Sequence, residues 1–518
     1  MRIEIITQKK DKYLFLLIST VIVGIITHGF SLFNKISFFD DIENLHFSAF
    51  GVTITQGRWF WGVLSYINEM LFGEYSIPWL NGIISLVFIA LSNILIVEIL
   101  DIKKCLSLIL VSSVITVSIG TLVLYAYMYC AVYYSLAIFL SILSTYLLLN
   151  LKLNIIIRYI VAACLLVLSA SIAQNYFLFG VIIYFYYTLI SIYNDKFSIK
   201  RFFGYIVVVI VSVVLYALCA KLIILLINVA NTFLGLGLQE LGITSYQGMD
   251  RIGTLSFIAI ENVLNVLKHI YIADDILFGN NIYIYYIIVT LIIAFCIYTF
   301  LQSNKNIQKT LELFLAFASI IVLCNIIYIL QPPTYVYSLT VHQKCLIFLI
   351  PILICELIDT KRIYIVGVYL VSIYYSLYGV AVSNRVNLWR YFRQQNEIRW
   401  VSTFATKLQS VSGYNDDYDV YIYGSGSDWS VKKSDSYYVS EPWPLKYNNI
   451  YPFGSDTIQY YTWATYLQKF AGVNINRFHL NNEVIDNIDY IKSMPCYPDD
   501  GSIEVIGERI VVKFSEFE

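Results

Sequence analysis

Residues 13–33, YLFLLISTVIVGIITHGFSLF, form a long and mostly apolar run, and runs of this kind decide the fold class. A helix that crosses the hydrocarbon core of a bilayer needs about 20 apolar residues. The rest of the chain is similar in character, since 58% of its 518 residues are hydrophobic, only 13% are charged, and its mean hydropathy is +0.69. This composition excludes an ordinary soluble protein and predicts a protein that crosses a membrane many times.

Further apolar runs predict an all-α polytopic membrane protein with about 11 transmembrane helices. Lysine and arginine are frequent at the N-terminus and in every second connection after it, and they are sparse in the other connections. By the positive-inside rule, the N-terminus is therefore predicted to be cytoplasmic and the region after residue 383 extracytoplasmic. The predicted spans are 13–33, 78–100, 105–124, 131–150, 159–175, 177–193, 202–229, 282–301, 311–330, 345–358 and 363–382.

The composition becomes water-soluble after residue 383, which divides the chain into two predicted domains. Residues 1–383 are predicted to form the transmembrane domain, and residues 384–518 a small extracytoplasmic α/β domain. Periodicity and turn residues give the elements of the second domain. They are an amphipathic helix over 386–410, a strand over 419–424, a helix over 457–471 and a strand pair over 502–514.

Charge and motif content exclude several functional classes. The formal net charge is −1, so no basic surface for nucleic acid is predicted. The sequence has no Walker loop, no dinucleotide-binding glycine motif, no zinc-ligand spacing and no Cys-x-x-Cys pair. No metal site and no cofactor is therefore predicted, although a divalent cation that assists the reaction remains an open alternative.

The first predicted outer loop, residues 34–77, carries an unusual group of charges. Its segment FFDDIENLH brings Asp40, Asp41 and Glu43, and the following QGRW brings Arg58. Charged residues next to a bilayer are costly and are often functional. A fixed carboxylate can act as a general base, and an arginine can bind phosphate through two parallel hydrogen bonds. The alternative is a solvated loop, in which Asp40 caps a helix and Arg58 anchors to lipid headgroups.

Two other predicted outer turns contain polar residues that could bind a substrate. Gln174 and Asn175 are expensive in lipid unless they line a cavity. His342 and Lys344 follow a Pro-Pro turn, where they could receive an anionic lipid headgroup. The alternative for Lys344 is an interfacial lysine whose amine reaches toward water.

The order of these motifs resembles the Gtr type II family of bacterial membrane glucosyltransferases, which have the GT-C architecture. One span is followed by Phe-Asp-Asp and Gln-Gly-Arg-Trp, then by further spans with Ala-Gln-Asn-Tyr at an outer turn. The exported tail adds Met-Pro-Cys-Tyr-Pro at 494–498. By position, the acidic pair of the family falls on Asp40 and Asp41, and its Gly-Arg on Gly57 and Arg58. An arginine that often follows the acidic pair in the family is replaced here by Glu43 and Asn44.

The resemblance implies a polyprenyl-phosphate-sugar-dependent hexosyltransferase in the bacterial cell membrane. Such an enzyme moves a sugar, here expected to be glucose, from the lipid carrier to a cell-surface polysaccharide on the extracytoplasmic face. The residue patterns and the resemblance together predict Asp40, Asp41 and Glu43 as catalytic residues. They predict substrate binding by Arg58, Gln174, Asn175, His342 and Lys344. Two alternatives remain. A flippase of lipid-linked sugars would need polar residues deep in its spans, and a non-enzymatic scaffold of wall assembly would not need the acids.

Overall fold

Long apolar helices dominate the computed structural model. It describes residues 8–36, 50–73, 76–234, 283–303, 305–330, 338–358, 362–424, 465–474, 478–480 and 488–516. Within these ranges, seven helices are long and apolar enough to cross a membrane, and one bent helix pair would add an eighth span. The prediction of a helical membrane protein is therefore confirmed, while the count of about 11 spans stays a prediction.

The helices of the apolar part follow the hydropathy of the chain closely. α8 and α9 are shorter than the other spans, with 16 and 17 residues. The helices are α1 (Lys9–Phe33), α2 (Phe50–Thr55), α3 (Trp59–Phe72), α4 (Pro78–Leu100), α5 (Cys105–Thr116), α6 (Ile119–Ala126), α7 (Ala131–Asn150), α8 (Ile155–Ala170), α9 (Phe177–Tyr193), α10 (Ile199–Leu234), α11 (Tyr283–Gln302), α12 (Ile307–Leu330), α13 (Leu349–Leu357) and α14 (Arg362–Gln409). Two 3₁₀ helices, Met128–Cys130 and His342–Phe348, precede α7 and α13.

One predicted span, 105–124, is broken into α5 and α6, which meet at an angle of 44°. The break has a local cause, because the hydroxyl of Ser118 accepts a hydrogen bond from the backbone N–H of Thr121 at 3.1 Å. Ser118 thus acts as the N-cap of α6 and stops α5 from continuing. The predicted span 345–358 is likewise divided, since its first part is 3₁₀ and only Leu349–Leu357 is α-helical.

α3 is too short to cross a bilayer and differs from its neighbours in its exposed face. Its 14 residues extend about 21 Å. Val63, Ile67 and Met70 are exposed on its outer side, whereas Trp61 is buried against the bundle. This is the pattern of a helix that lies in the membrane interface.

The described chain divides into two compact units with a boundary after Asn384, and Ile36 belongs to the second unit. α14 passes this boundary as a single helix, so the predicted separate helix over 386–410 is the continuation of the last span. In the second unit, β1 (Asp419–Tyr423), β2 (Phe478–Leu480), β3 (Ile503–Val505) and β4 (Arg509–Lys513) form one sheet in the order β2-β1-β4-β3. β1 is parallel to both neighbours, and β3 is antiparallel to β4.

The core of the second unit lies between this sheet and the end of α14. Val401, Phe404 and Leu408 of α14 pack in one cluster with Val420 and Ile422 of β1. β1 and the β3–β4 pair fall where the sequence predicts strands. Of the predicted helix over 457–471, the structure describes only the end, where Leu467–Ala471 is a π-helical turn. A short helix, α15 (Ile488–Ser493), completes the unit.

Candidate active site

The Gln-Gly-Arg-Trp motif forms a tight turn between α2 and α3. The N–H of Gly57 donates to the carbonyl of Ile54 at 2.9 Å, and that of Arg58 donates to Thr53 at 2.7 Å. Gly57 has φ +75°, which a side chain would disfavour. A Cβ there would also lie 2.5 Å from the hydroxyl of Tyr216 in α10. Both the positive φ and the close approach of α10 therefore require glycine at position 57. The turn that this glycine allows places Arg58 immediately before α3.

The turn between α8 and α9 fixes this motif in place. Gln174 donates through Nε2 to the carbonyl of Gln56 at 2.8 Å and lies 3.0 Å from the hydroxyl of Tyr216. The carbonyl of Ser171 accepts from the N–H of Trp61 at 3.4 Å and from that of Phe60 at 3.2 Å. Gln174 is thus placed beside Arg58, where it orients the turn that carries the guanidinium.

Arg58 is partly buried, and its partners among the described residues are neutral. Its Nη1 donates to the hydroxyl of Tyr134 at 3.3 Å, and its Cζ lies 5.6 Å from the ring centre of Trp61. Its Nε is buried without a hydrogen-bond partner, and none of the described carboxylates forms an ion pair with it. A guanidinium out of water and without an anion is unfavourable, so this position suits an anionic ligand.

Aromatic rings surround the guanidinium on the side of α7. The ring of Trp61 lies 5.4 Å from Tyr134, 6.2 Å from Tyr133 and 6.4 Å from Tyr129. We call these four residues the aromatic wall. Tyr134 in turn lies 5.5 Å from Tyr176, whose buried hydroxyl has no hydrogen-bond partner in the described part of the chain. A cation and several polar-tipped rings are therefore grouped in one place.

Asn175 and His342 connect the turn between α8 and α9, and the break between α5 and α6, to the segment before α13. Asn175 donates through Nδ2 to the carbonyl of Leu339 at 2.8 Å. His342 is fully buried, with Nε2 at 2.8 Å from the Ser118 hydroxyl and 3.1 Å from the Thr121 hydroxyl. It therefore fills the break between α5 and α6, and the ring leaves no room for a Cβ at Gly120.

Lys344 lies among aromatic rings of a different pair of helices. Only 2% of the residue is exposed. Its Nζ lies 4.9 Å from the ring centre of Tyr285 in α11 and 5.0 Å from that of Tyr328 in α12. These are cation–π distances, so the two tyrosine rings stabilise the buried ammonium. Among the predicted binding residues, the structure brings Gln174 next to Arg58 and places Lys344 with α11 and α12.

The predicted acids Asp40, Asp41 and Glu43 lie outside the described residues, as does everything between 37 and 49. The residue before this segment, Ile36, is described, and its carbonyl accepts from Nη2 of Arg390 at 3.4 Å. Arg390 is fully buried in the second unit. The sequence places Arg390 just beyond the last predicted span and does not reveal its burial.

The residues that contact Arg58 were also missed. Trp61, Tyr134 and Tyr216 come from three helices, and Tyr134 is 76 positions from Arg58 in the chain. The density of tyrosine around 125–134 was the available signal, but aromatic residues are equally typical of membrane interfaces. In the part of the chain that the structure describes, no group of three or more His, Cys, Asp and Glu could hold a metal ion.

Comparison with known proteins identifies the family. The model of the glucosyl transferase GtrII family matches residues 29–353, which is more than half of the chain. No curated protein and no solved structure matches. The matched region contains Asp40, Asp41, Glu43, Arg58 and the other sequence-predicted site residues, and it confirms the family that the short motifs indicate. The chain is therefore a member of the GtrII family of membrane glucosyltransferases.

Proposed function

We propose that the protein transfers glucose from a polyprenyl-phosphate carrier to a cell-surface polysaccharide on the extracytoplasmic face of the bacterial cell membrane. The observation that carries the proposal is Arg58, a partly buried arginine with no carboxylate partner among the described residues. A lipid-linked phosphate supplies the missing anion. The short interfacial helix α3, which begins immediately after Arg58, supports a headgroup substrate at the membrane surface.

The environment of Arg58 suits a leaving phosphate. Nη1 is held by Tyr134, which leaves Nε and the remaining guanidinium N–H groups to bind two phosphate oxygens. The surrounding rings reduce the contact of the guanidinium with water, so the interaction between the cation and a developing negative charge is stronger than it would be in bulk solvent. Gln174 fixes the backbone that carries Arg58, so the cation is oriented before the reaction begins.

The proposed reaction is a direct displacement at the anomeric carbon. Asp40 or Asp41 accepts the proton of an acceptor hydroxyl, with Glu43 as a further candidate. The hydroxyl oxygen forms the new glycosidic bond, while the bond between the anomeric carbon and the phosphate oxygen breaks. The polyprenyl phosphate leaves with the bonding electrons, and Arg58 stabilises its charge. The acids and Arg58 lie on the same outer loop, 34–77.

The buried polar residues of the spans do not favour the flippase alternative. Asn93 of α4 donates to the Thr20 hydroxyl of α1 at 3.2 Å. Ser144 of α7 donates to the carbonyl of Ala162 in α8 at 2.8 Å, and Thr145 donates to that of Gly180 in α9 at 2.9 Å. These side chains form hydrogen bonds between packed helices, which stabilise a bundle. They are therefore explained without a polar path through the membrane.

The proposal is tested by the composition of the surface polysaccharide in a deletion strain and in the same strain complemented with the intact gene. We expect loss of one branch sugar, glucose, with an intact polymer backbone, and recovery on complementation. An Asp40→Asn/Asp41→Asn double variant should fail to complement although it inserts normally. Loss of the entire polymer would contradict the proposal and favour a transporter. Complementation by the double variant would favour a scaffold.

A further inference from the structure

Two tyrosines of the aromatic wall near Arg58 have surface that a ligand could reach. Tyr129 and Tyr133 are partly exposed, whereas Trp61 behind them is 2% exposed. The guanidinium of Arg58 packs on the same indole, with its Cζ 5.6 Å from the ring centre of Trp61. The cation and the two accessible rings are therefore neighbours of one buried indole.

Local structure fixes the positions of these two tyrosines. Tyr129 lies in the 3₁₀ helix before α7, and Tyr133 follows four positions later, on the same side of a helical segment. The 3₁₀ turn is anchored to α4, because Asn81 donates through Nδ2 to the carbonyl of Met128 at 3.1 Å. Within the turn, the N–H of Cys130 donates to Tyr127 at 3.0 Å. The rings are thus presented by a fixed backbone.

Tyr129 and Tyr133 lie one ring beyond the indole that packs on Arg58. A phosphate that accepts hydrogen bonds of about 2.9 Å from Arg58 carries its sugar through a single bridging oxygen. Trp61, the ring that both tyrosines adjoin, has its ring centre 5.6 Å from Cζ of Arg58. Tyr129 and Tyr133 lie 6.4 and 6.2 Å from the Trp61 ring. A hexose ring of similar size can therefore contact them while its phosphate stays on Arg58.

The chemistry of the rings also suits a hexose. The C–H bonds on the face of a pyranose are weakly positive and pack against the negative face of an aromatic ring. The phenol hydroxyls can in addition exchange hydrogen bonds with sugar hydroxyls. A site for a bare anion would gain nothing from these rings. We propose that Tyr129 and Tyr133 form the sugar subsite of the donor, which recognises the hexose of a lipid-linked sugar phosphate; this inference rests on the proposed function.

The test compares two probe lipids that differ only in the sugar: polyprenyl-phosphate glucose and polyprenyl phosphate. Dissociation constants are measured for the full chain in lipid nanodiscs. Tyr129→Leu and Tyr133→Leu should each weaken binding of the glucosyl lipid by ~3- to 10-fold, the strength of an aromatic contact. Neither should change binding of the lipid without glucose. Tyr129→Phe and Tyr133→Phe keep the ring and should bind the glucosyl lipid nearly as well as the wild type.

Two controls separate the sugar subsite from general effects. Tyr283→Leu removes an exposed tyrosine at the start of α11, where 72% of the residue is exposed, and should change neither affinity. Arg58→Gln should weaken both lipids. Equal weakening of both lipids by the leucine variants, or no weakening, would overturn the sugar subsite and leave the donor proposal standing. A wild-type protein that binds neither lipid would overturn both.

Discussion

Replacement of Arg58 by lysine tests the phosphate assignment most sharply, because it keeps the charge and removes the planar fork. In the structure, Nη1 donates to Tyr134 at 3.3 Å, while Nε has no hydrogen-bond partner. A lysine ammonium is a single point donor, so it cannot hold Tyr134 and bind two phosphate oxygens in the same geometry. At least one charge-assisted hydrogen bond to the phosphate is therefore lost.

The expected magnitude follows from that lost bond. A hydrogen bond to a charged group contributes about 1.5–3 kcal/mol, which corresponds to a ~10- to 100-fold decrease in kcat/KM. Arg58→Gln removes the charge as well and should cost at least ~100-fold, as for loss of one donor to a developing anion. Stability should change little, because the side chain of Arg58 makes one neutral hydrogen bond to the residues that the structure describes, worth about 1 kcal/mol.

The assay measures initial rates of glucose transfer from polyprenyl-phosphate glucose to the isolated polysaccharide, with thermal unfolding measured in parallel. Arg201→Lys is the matched control, since Arg201 is an exposed arginine near the start of α10. It should have the wild-type rate. An Arg58→Lys variant with near wild-type kcat/KM would refute the reasoning and make Arg58 an interfacial anchor.

Three further predictions concern the support of the site and the topology. Gly57→Ala should lower the free energy of unfolding by about 1–3 kcal/mol, because its Cβ would lie 2.5 Å from the Tyr216 hydroxyl. Tyr216→Phe in the same chain removes that hydroxyl, so it should restore part of the loss in a thermal unfolding assay. Gln174→Ala removes the hydrogen bonds to Gln56 and Tyr216 that fix the turn before Arg58. We expect a ~10-fold or larger decrease in kcat. An unchanged kcat would show that the turn keeps its conformation without Gln174. Ser412→Cys should react with an impermeant thiol reagent in intact cells, whereas Lys152→Cys should react only after lysis, and the reverse result would invert the proposed orientation.

The general class and the family could be predicted because they depend on local properties of the sequence. Hydropathy over about 20 residues identifies membrane helices without any knowledge of their packing. The motif that ends in Arg58 is local as well, since its turn depends on Gly57 and on backbone contacts a few positions away. For the same reason, the short motifs of the outer loop indicate the family that comparison then confirms.

The surroundings of Arg58 could not be predicted, because they depend on contacts between distant parts of the chain. Tyr134 and Tyr216 reach the site from helices whose relative positions no local pattern gives. His342 shows the same limit. The sequence places it in a headgroup-binding role, whereas the structure shows a buried ring that bonds to Ser118, 224 positions away. Hydropathy also could not show the break between α5 and α6, because it measures length and apolarity and is insensitive to an internal helix cap.

The acidic pair gives the most direct test of the proposed catalysis. A general base typically contributes about 10²- to 10⁴-fold to a rate, and asparagine keeps the size of aspartate without accepting the proton. Single-turnover transfer from polyprenyl-phosphate glucose should therefore decrease by at least ~100-fold in Asp40→Asn or in Asp41→Asn, while binding of the donor lipid stays near that of the wild type. Near-normal single-turnover rates in both variants, and also in Glu43→Gln, would contradict the assignment of catalysis to this loop.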